Sequence, residues 1–204
     1  MIYNNEDEHM HDEEDDEGGV PFSGDEEEPI IGLVGDITEE SAQQVAMMLL
    51  NFNGGGILRT EESAEQPRDL EFFISYGGGS VSDMFTIYDL MSLVKSHRDI
   101  ATFGYGKIAS AAVPLLAAGT KGKRYMAKHA RLMIHHCATS MMGTVPTVRA
   151  NYEELRRVED MMVEVLAENS GLSAREVYEI FSRNTDEYFS AEDALEMGIV
   201  DKII

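Results

Sequence analysis

Short apolar runs alternate with amphipathic helical segments along this 204-residue chain, and the alternation restricts its fold more than any other feature. Each run has the length of a buried strand, and apolar residues at helical spacing follow most of the runs. Strands that alternate with helices favour a mostly parallel sheet with helices on its faces, so the predicted fold class is α/β. The predicted strands are Ile30 to Gly35, Leu70 to Ser75, Ile100 to Phe103, Tyr125 to Ala127 and Arg131 to Ile134. The predicted helices cover Ala42 to Leu50, Val81 to Val94, Ala111 to Ala118 and Pro146 to Asn169.

Glycine clusters mark the predicted connections between these elements. Gly77 to Gly79 are expected to join the second strand to the next helix, and Gly104 to Gly106 are expected to form a turn after the third strand. The polar stretch 57 to 68 is interpreted as a surface excursion or an insertion. Three helix starts carry capping residues, which are Thr38, Ser173 with Glu176, and Ser190 with Asp193.

The longest helical pattern, from Pro146 to Asn169, predicts a helix of about 36 Å. Its apolar positions keep to one face over the whole length, which is more than a domain of this size needs for its own core. Part of the helix is therefore expected to project into another subunit, and ordinary packing within the domain is the alternative. The apolar positions are Val148, Tyr152, Leu155, Val158, Met162 and Val165.

Negative charge is concentrated at the start of the chain. The net charge is −22, and residues 1–28 hold 13 carboxylates without a lysine or arginine. Such a segment repels itself and has little apolar surface to bury, so we predict a disordered arm over 1–28 and a folded domain over 29–204. The arm is interpreted as a docking arm or removable pro-segment, or as a solubilising tail. Because binding to a phosphate backbone needs a basic surface, nucleic acid is an unexpected partner.

The remaining composition favours a soluble protein of the cytoplasm. No run of about 20 apolar residues could span a membrane, and the acidic N-terminus has no apolar core of a signal peptide. The single cysteine, Cys137, cannot form an internal disulfide and is interpreted as inert core, although a thiol dyad with a neighbouring histidine is an alternative. His9 and His11 among carboxylates could hold a metal loosely, but we predict no metal site.

Ser110 is a candidate nucleophile because of the residues around it. Small neighbours, Ala109 and Ala111, leave room for a substrate carbonyl. Pro114 is tolerated only in the first turn of a helix, which places Ser110 at the helix N-terminus. Free backbone N–H groups at that end favour developing negative charge. Taken alone, a serine at the start of a helix is usually a simple cap.

The partners that such a serine needs are a base and an orienting carboxylate. His135 and His136 both follow the strand that ends at Ile134, and spacing alone does not decide which of them faces Ser110. Asp186 lies in a loop before the capped helix at Ser190 and could orient the imidazole, although a solvated charge is the simpler interpretation.

The glycine run Gly77-Gly78-Gly79 could bring backbone N–H groups close to a substrate, either as an oxyanion donor or by pairing with an extended peptide. A tight turn between strand and helix is the alternative. A phosphate-binding loop is excluded because Ile108 follows Gly106-Lys107 where that motif needs serine or threonine.

Three segments in register resemble the ClpP family of caseinolytic protease subunits. The first is Gly106-Lys107-Ile108-Ala109-Ser110-Ala111-Ala112 with the downstream run 117–124, which is similar to the family's nucleophile segment and its A-G-x-K-G-K-R. The second, Arg131 to His135, resembles R-x-M-I-H, and the third, from Asp186 to Asp201, resembles D-x-x-x-S-A followed by G-[IL]-V-D. The resemblance covers residues 30–204.

This resemblance implies a serine endopeptidase in which Ser110 is the nucleophile, His135 the base and Asp186 the orienting acid, with the backbone N–H groups of Gly79 and Ala111 as the oxyanion hole. It implies a fold of stacked β-β-α units shared with crotonases and homo-oligomeric seven-membered rings, paired as a tetradecamer through the long helix. The expected substrates are unfolded polypeptides supplied by an AAA+ unfoldase similar to ClpX, ClpA or ClpC. The chain itself is expected to need no cofactor, because the partner ATPase would use the ATP.

Three departures from the family pattern are visible. Tyr76-Gly77-Gly78-Gly79 stands where the family usually has S-P-G-G, and His136-Cys137 replaces the Q-P that usually follows the base. The acidic arm also takes the place of the family's axial N-terminal loop. The alternative functions are a non-catalytic ring subunit, which the retained triad disfavours, and a crotonase-like acyl-CoA enzyme, which would leave Ser110 and His135 unexplained.

Overall fold

The computed structural model describes residues 22–23, 29–53, 68–183 and 185–204. Most of the predicted acidic arm, the histidines His9 and His11, and the polar excursion up to residue 67 lie outside these ranges. The strands are β1 (Phe22–Ser23), β2 (Ile30–Ile37), β3 (Leu70–Gly79), β4 (Ile100–Ala109), β5 (Arg124–Met126), β6 (Arg131–Ile134), β7 (Glu187–Phe189) and β8 (Lys202–Ile203). The helices are α1 (Glu39–Phe52), α2 (Val81–Lys95), α3 (Ala112–Ala117), α4 (Val145–Asn169), α5 (Ala174–Phe181) and α6 (Ala191–Glu196).

The described strands form one sheet in which parallel pairs predominate. Its main path runs β1-β2-β3-β4-β5-β8, and β6 pairs with β4 and β7 to one side of that path. The pairs β1·β2 and β6·β7 are antiparallel, and the others are parallel. The α/β class and the parallel sheet predicted from the alternation are therefore confirmed.

Burial of their apolar residues favours the helices, and each described helix except α3 begins with a side-chain cap. In α1, Ala42, Val45 and Leu49 are buried, and Thr38 accepts the Ser41 N–H. The capping boxes predicted at Ser173 and Ser190 are both present at the starts of α5 and α6. No helix in the described ranges is both long and apolar enough to cross a membrane.

Two predicted connections are instead parts of strands. The turn predicted at Gly104 to Gly106 is wrong, because β4 continues through it to Ala109. The strand accommodates the extra residues as a bulge, where Ile74 pairs with Gly104 but Tyr76 pairs with Ile108. Similarly, the run Gly77 to Gly79 is the end of β3 and not a connection, since Gly79 still pairs with Ile37 of β2.

The first two thirds of α4 have little contact with the rest of the chain. All its buried residues lie near the C-terminal end, and they are Met162, Val163, Val165 and Leu166. Towards the N-terminus, Val145 is 75% exposed and Tyr152 is 53% exposed. The alternative of ordinary packing is therefore wrong for this part of α4, which extends away from the domain.

A largely buried ion pair joins two residues that lie 77 positions apart in the sequence. Arg124 of β5 is 4% exposed and lies 2.7 Å from the Asp201 carboxylate, which is itself 21% exposed. The same carboxylate accepts the Gly122 N–H at 2.7 Å, and the guanidinium also donates to the Asn169 carbonyl. This cluster fixes the C-terminal segment and the end of α4 against β5.

The outer face of the sheet carries a stripe of stacked aromatic rings. Phe73, Phe103 and Tyr125 come from adjacent strands, with ring centroids 4.9 and 4.8 Å apart, and Tyr105 lies 6.0 Å from Phe73. The first three rings are half-buried and Tyr105 is exposed. We call Phe73, Phe103, Tyr105 and Tyr125 the aromatic stripe.

Candidate active site

Ser110 lies where β4 ends and the chain turns into α3. Its φ is +54°, and it is the one non-glycine residue with positive φ in the described ranges. Left-handed backbone costs an ordinary residue about 1–2 kcal/mol, so the surrounding structure must hold the serine in this conformation. The Ser110 N–H donates to the Met133 carbonyl at 2.8 Å, and α3 begins two residues later. This sharp turn leaves the Ser110 side chain half-buried at the end of the sheet.

The imidazole of His135 is the group that contacts the Ser110 hydroxyl. Its Nε2 lies 2.8 Å from the Ser110 Oγ, which is a hydrogen-bonding distance. The parallel pairing of β4 with β6 explains the contact, because Ala109 lies opposite Met133 and both strands end at the same edge. His136 turns the other way, and its Nδ1 lies 2.7 Å from the Glu159 carboxylate of α4. Of the two histidines that the sequence left open, His135 is the one beside Ser110.

Asp186 lies on the opposite side of the same imidazole, but at a longer distance. Its Oδ1 is 3.8 Å from the His135 Nδ1, and its side chain is 51% exposed. The position follows from the antiparallel pairing of β6 with β7, which sets Ile134 opposite Glu187. At 3.8 Å the two groups are too far apart for a hydrogen bond. A shift of about 1 Å would bring them to hydrogen-bonding distance.

The end of β3 passes directly beside Ser110, and glycine is required there. A Cβ built on Gly78 would lie 2.7 Å from the Ser110 Cβ, and one built on Gly79 would collide with the backbone of Ile37. The φ values of Gly78 and Gly79 are +107° and +141°, which disfavour any other residue. Because these glycines have no side chains, the β3 backbone can pack directly against Ser110.

The comparison with known proteins agrees with this arrangement. A family model described as Clp protease matches residues 26–204. The chain belongs to the Clp protease family.

Several relatives are members of the same family. The proteolytic subunit 2 of an ATP-dependent Clp protease from Bifidobacterium longum is 34% identical over 176 residues, which cover 86% of this chain and 78% of the relative. A subunit 2 from Corynebacterium diphtheriae is 40% identical over 143 residues, 70% of each chain. A subunit 1 from Corynebacterium jeikeium is 35% identical over 178 residues, 87% of each chain.

A cleft of about 300 Å³ adjoins the histidine and the carboxylate of this family member. Arg183 and Thr185 form part of its wall, so the cleft is partly polar. Its lining residues are His135, His136, Cys137, Ala138, Arg183, Thr185 and Asp186. No group of three histidine, cysteine or acidic side chains in the described part of the chain is arranged to hold a metal ion.

The interpretation of Cys137 as core is wrong, because the residue is only partly buried and lines this cleft. Burial and the nearby Glu159 carboxylate raise the pKa of its thiol, which disfavours the thiolate that a nucleophile requires. The neighbouring His136 bonds to Glu159. A thiol dyad at Cys137 is therefore unsupported.

Tyr76 and His136, which both depart from the family pattern, form side-chain contacts that the sequence analysis did not predict. The Tyr76 hydroxyl donates to the Ser41 Oγ at 2.9 Å inside the core, and His136 binds Glu159. The partners lie 35 and 23 residues away, so no local pattern in the sequence indicates either pair. Each pair ties a strand end beside Ser110 to a helix.

Proposed function

We propose that the chain is a serine endopeptidase in which Ser110, His135 and Asp186 form the catalytic triad. The observation that carries the proposal is the 2.8 Å contact between the Ser110 Oγ and the His135 Nε2. A serine becomes a nucleophile when a base within hydrogen-bonding distance accepts its proton. The strained backbone of Ser110 supports the same proposal, because strain of this kind is concentrated at functional sites.

The reaction is acyl transfer in two steps. His135 takes the Ser110 proton while the oxygen attacks the carbonyl carbon of the peptide bond, and it then gives the proton to the leaving amine. In the second step His135 activates a water molecule, which hydrolyses the acyl-enzyme and frees Ser110. Asp186 orients the imidazole and stabilises its protonated form, and this role needs the 3.8 Å contact to shorten when the site is engaged.

Backbone N–H groups stabilise the oxyanion that forms during attack. We assign this role to Gly79, which follows the Gly78 that packs against Ser110, and to Ala111, which follows Ser110 at the cap of α3. The first N–H groups of a helix have no acceptor within that helix, so the Ala111 N–H is suited to the task. Gly77 and Gly78 would pair with the extended substrate backbone, because no side chains obstruct its approach.

The assignment of Ser110 is tested by labelling the assembled protein, together with its ATPase, with a serine-reactive fluorophosphonate. Mass spectrometry of the digested protein is expected to find the phosphonyl adduct on Ser110, because activation by His135 distinguishes this hydroxyl from the other serines. An equal distribution of label over several serines, or no label on intact assembled protein, would contradict the proposal.

The family supports an oligomeric assembly, and we propose paired seven-membered rings joined through α4. The exposed part of this helix forms one wall of an apolar hollow of about 400 Å³, lined by Met141, Gly143, Val145, Val148, Arg149 and Tyr152. An apolar surface of this kind marks a protein interface. A second copy of the chain, bringing its own α4, is the proposed occupant.

Tyr152→Lys is expected to weaken this association by at least about tenfold, because a buried interface tyrosine contributes roughly 2 kcal/mol. Sedimentation velocity over a concentration series measures the shift to smaller species. Glu154→Gln is the matched control, since it changes the charge by the same amount at an exposed position of the same helix. Equal assembly of the Tyr152→Lys variant and wild type would reject α4 as the joint.

The proposed partner is an AAA+ unfoldase that supplies unfolded polypeptides and uses the ATP, while this chain needs no cofactor. The aromatic stripe supports such a partner, since half-buried aromatic rings on an outer sheet face favour protein contacts. Its central rings, Phe73 and Phe103, stack within 4.9 Å, which gives the surface a defined shape. A cytoplasmic location remains a prediction from the sequence.

A further inference from the structure

The three consecutive glycines at the end of β3 have no side chains of their own to fix them. Glycine loses more conformational freedom on folding than any other residue, so the position of Gly77 to Gly79 must be set by the residues on either side. On the C-terminal side, the Ser80 N–H donates to the Ile37 carbonyl at 3.2 Å and the Ser80 hydroxyl caps α2. Tyr76 is the residue on the N-terminal side.

Tyr76 is held by a buried hydrogen bond to the start of α1. Its side chain is 1% exposed, and its hydroxyl donates to the Ser41 Oγ at 2.9 Å. Burial raises the pKa of the Tyr76 hydroxyl, so the group remains a donor over the working pH range. Ser41 is 1% exposed and its Oγ also accepts the Thr38 N–H at 3.0 Å. The tyrosine is thereby attached to the capping box of α1.

The same junction between β2 and α1 supports Gly79 directly. Gly79 lies so close to Ile37 that a Cβ would collide with the Ile37 backbone, and Thr38 follows Ile37 in the chain. Residues on both sides of the glycine segment are therefore fastened to one junction, through Tyr76 and Ser41 on one side and through Ile37 on the other. A displacement of Tyr76 would shift the segment relative to Ser110, which Gly78 contacts closely.

We propose that Tyr76 is a positioning residue that sets the direction of the Gly79 N–H towards the oxyanion. The inference rests on the proposed function, since it needs Ser110 to be the nucleophile. Loss of the Tyr76 hydroxyl frees the glycine segment without removing a group that touches the substrate. Its effect is therefore confined to the transition state, where the Gly79 N–H contributes most.

The test compares Tyr76→Phe with wild type in the hydrolysis of a short fluorogenic peptide and in the binding of a peptide boronate. We expect kcat to fall about tenfold to a hundredfold with KM nearly unchanged, because a misplaced oxyanion donor weakens the transition state alone. Affinity for the boronate, which forms a tetrahedral adduct on serine, should fall by a similar factor. Ser41→Ala should reproduce the effect, and the double variant should add little to it.

Tyr88→Phe is the matched control. Its hydroxyl accepts a hydrogen bond from the Asn169 side chain at 3.0 Å, so the substitution removes one tyrosine hydrogen bond from another part of the core. This variant should keep the kcat and the boronate affinity of wild type. Wild-type values in both Tyr76→Phe and Ser41→Ala, or an equal loss in Tyr88→Phe, would overturn the positioning role. A wild-type protein that reacts with neither peptide nor boronate would instead refute the proposed function, and this inference with it.

Discussion

Replacing Ser110 by alanine is expected to lower peptide hydrolysis by about a millionfold, to the detection limit of a fluorogenic assay. The substitution removes the proposed nucleophile, and among the described residues no other serine side chain forms a hydrogen bond with His135. Alanine has nearly the volume of serine, so the fold and the assembly should be retained. Sedimentation velocity and thermal unfolding of the variant establish that the loss is chemical.

Ser92→Ala provides the control for this experiment. Ser92 is exposed on α2 and its hydroxyl donates to the Tyr88 carbonyl at 3.0 Å, so its loss should leave hydrolysis unchanged. Persistence of even a few per cent of wild-type turnover in purified Ser110→Ala protein would eliminate Ser110 as the nucleophile. Such a result would favour the alternative of a crotonase-like acyl-CoA enzyme, which does not use this hydroxyl.

Asp201→Ala is expected to reduce the free energy of unfolding by about 3–5 kcal/mol, because it leaves the Arg124 charge buried without a counter-ion. The carboxylate accepts hydrogen bonds from the Gly122 N–H, the Arg124 N–H and the guanidinium, at distances of 2.7 to 3.1 Å. Its 21% exposure favours the lower part of the range. Urea unfolding at a fixed protein concentration measures the loss.

Glu179→Ala is the control for this substitution. Glu179 pairs with Arg175 at 2.9 Å on the surface of α5, where the two side chains are 57% and 87% exposed. A pair of this kind contributes less than about 1 kcal/mol. Equal destabilisation by Asp201→Ala and Glu179→Ala would mean that the buried ion pair adds no more stability than an exposed one.

The contribution of Asp201 should also depend on pH. The hydrogen bonds from Arg124 lower the pKa of the Asp201 carboxyl below its ordinary value of 3.8. The folded state therefore favours the ionised form, and the stabilisation is present above the ordinary pKa and is lost as the pH falls through the folded value. The difference in stability between wild type and Asp201→Ala should be constant near neutral pH and should shrink below about pH 4.

The sheet and its helices could be predicted from the sequence because the patterns that indicate them lie within short stretches of the chain. Apolar runs and helical stripes record which side of each element is buried, and capping boxes such as the one at Ser190 need only four consecutive residues. The family resemblance added the choice of His135, which spacing left open and which the contact to Ser110 agrees with.

The failed predictions concern features that depend on distant residues. Glycines at 104 and 106 are typical of a turn, but β3 and β6 on either side keep this part of β4 extended through a bulge. The pairs of Tyr76 with Ser41 and of His136 with Glu159 form only after the strands and helices have packed. The 3.8 Å separation at Asp186 likewise depends on a loop position that periodicity does not encode.

The left-handed backbone at Ser110 makes stability and activity compete at one position. Glycine would adopt the φ of +54° without the cost of about 1–2 kcal/mol that serine carries, so an inert version of the protein would be the more robust fold. Serine at this position therefore trades backbone stability for the hydroxyl that the proposed reaction requires.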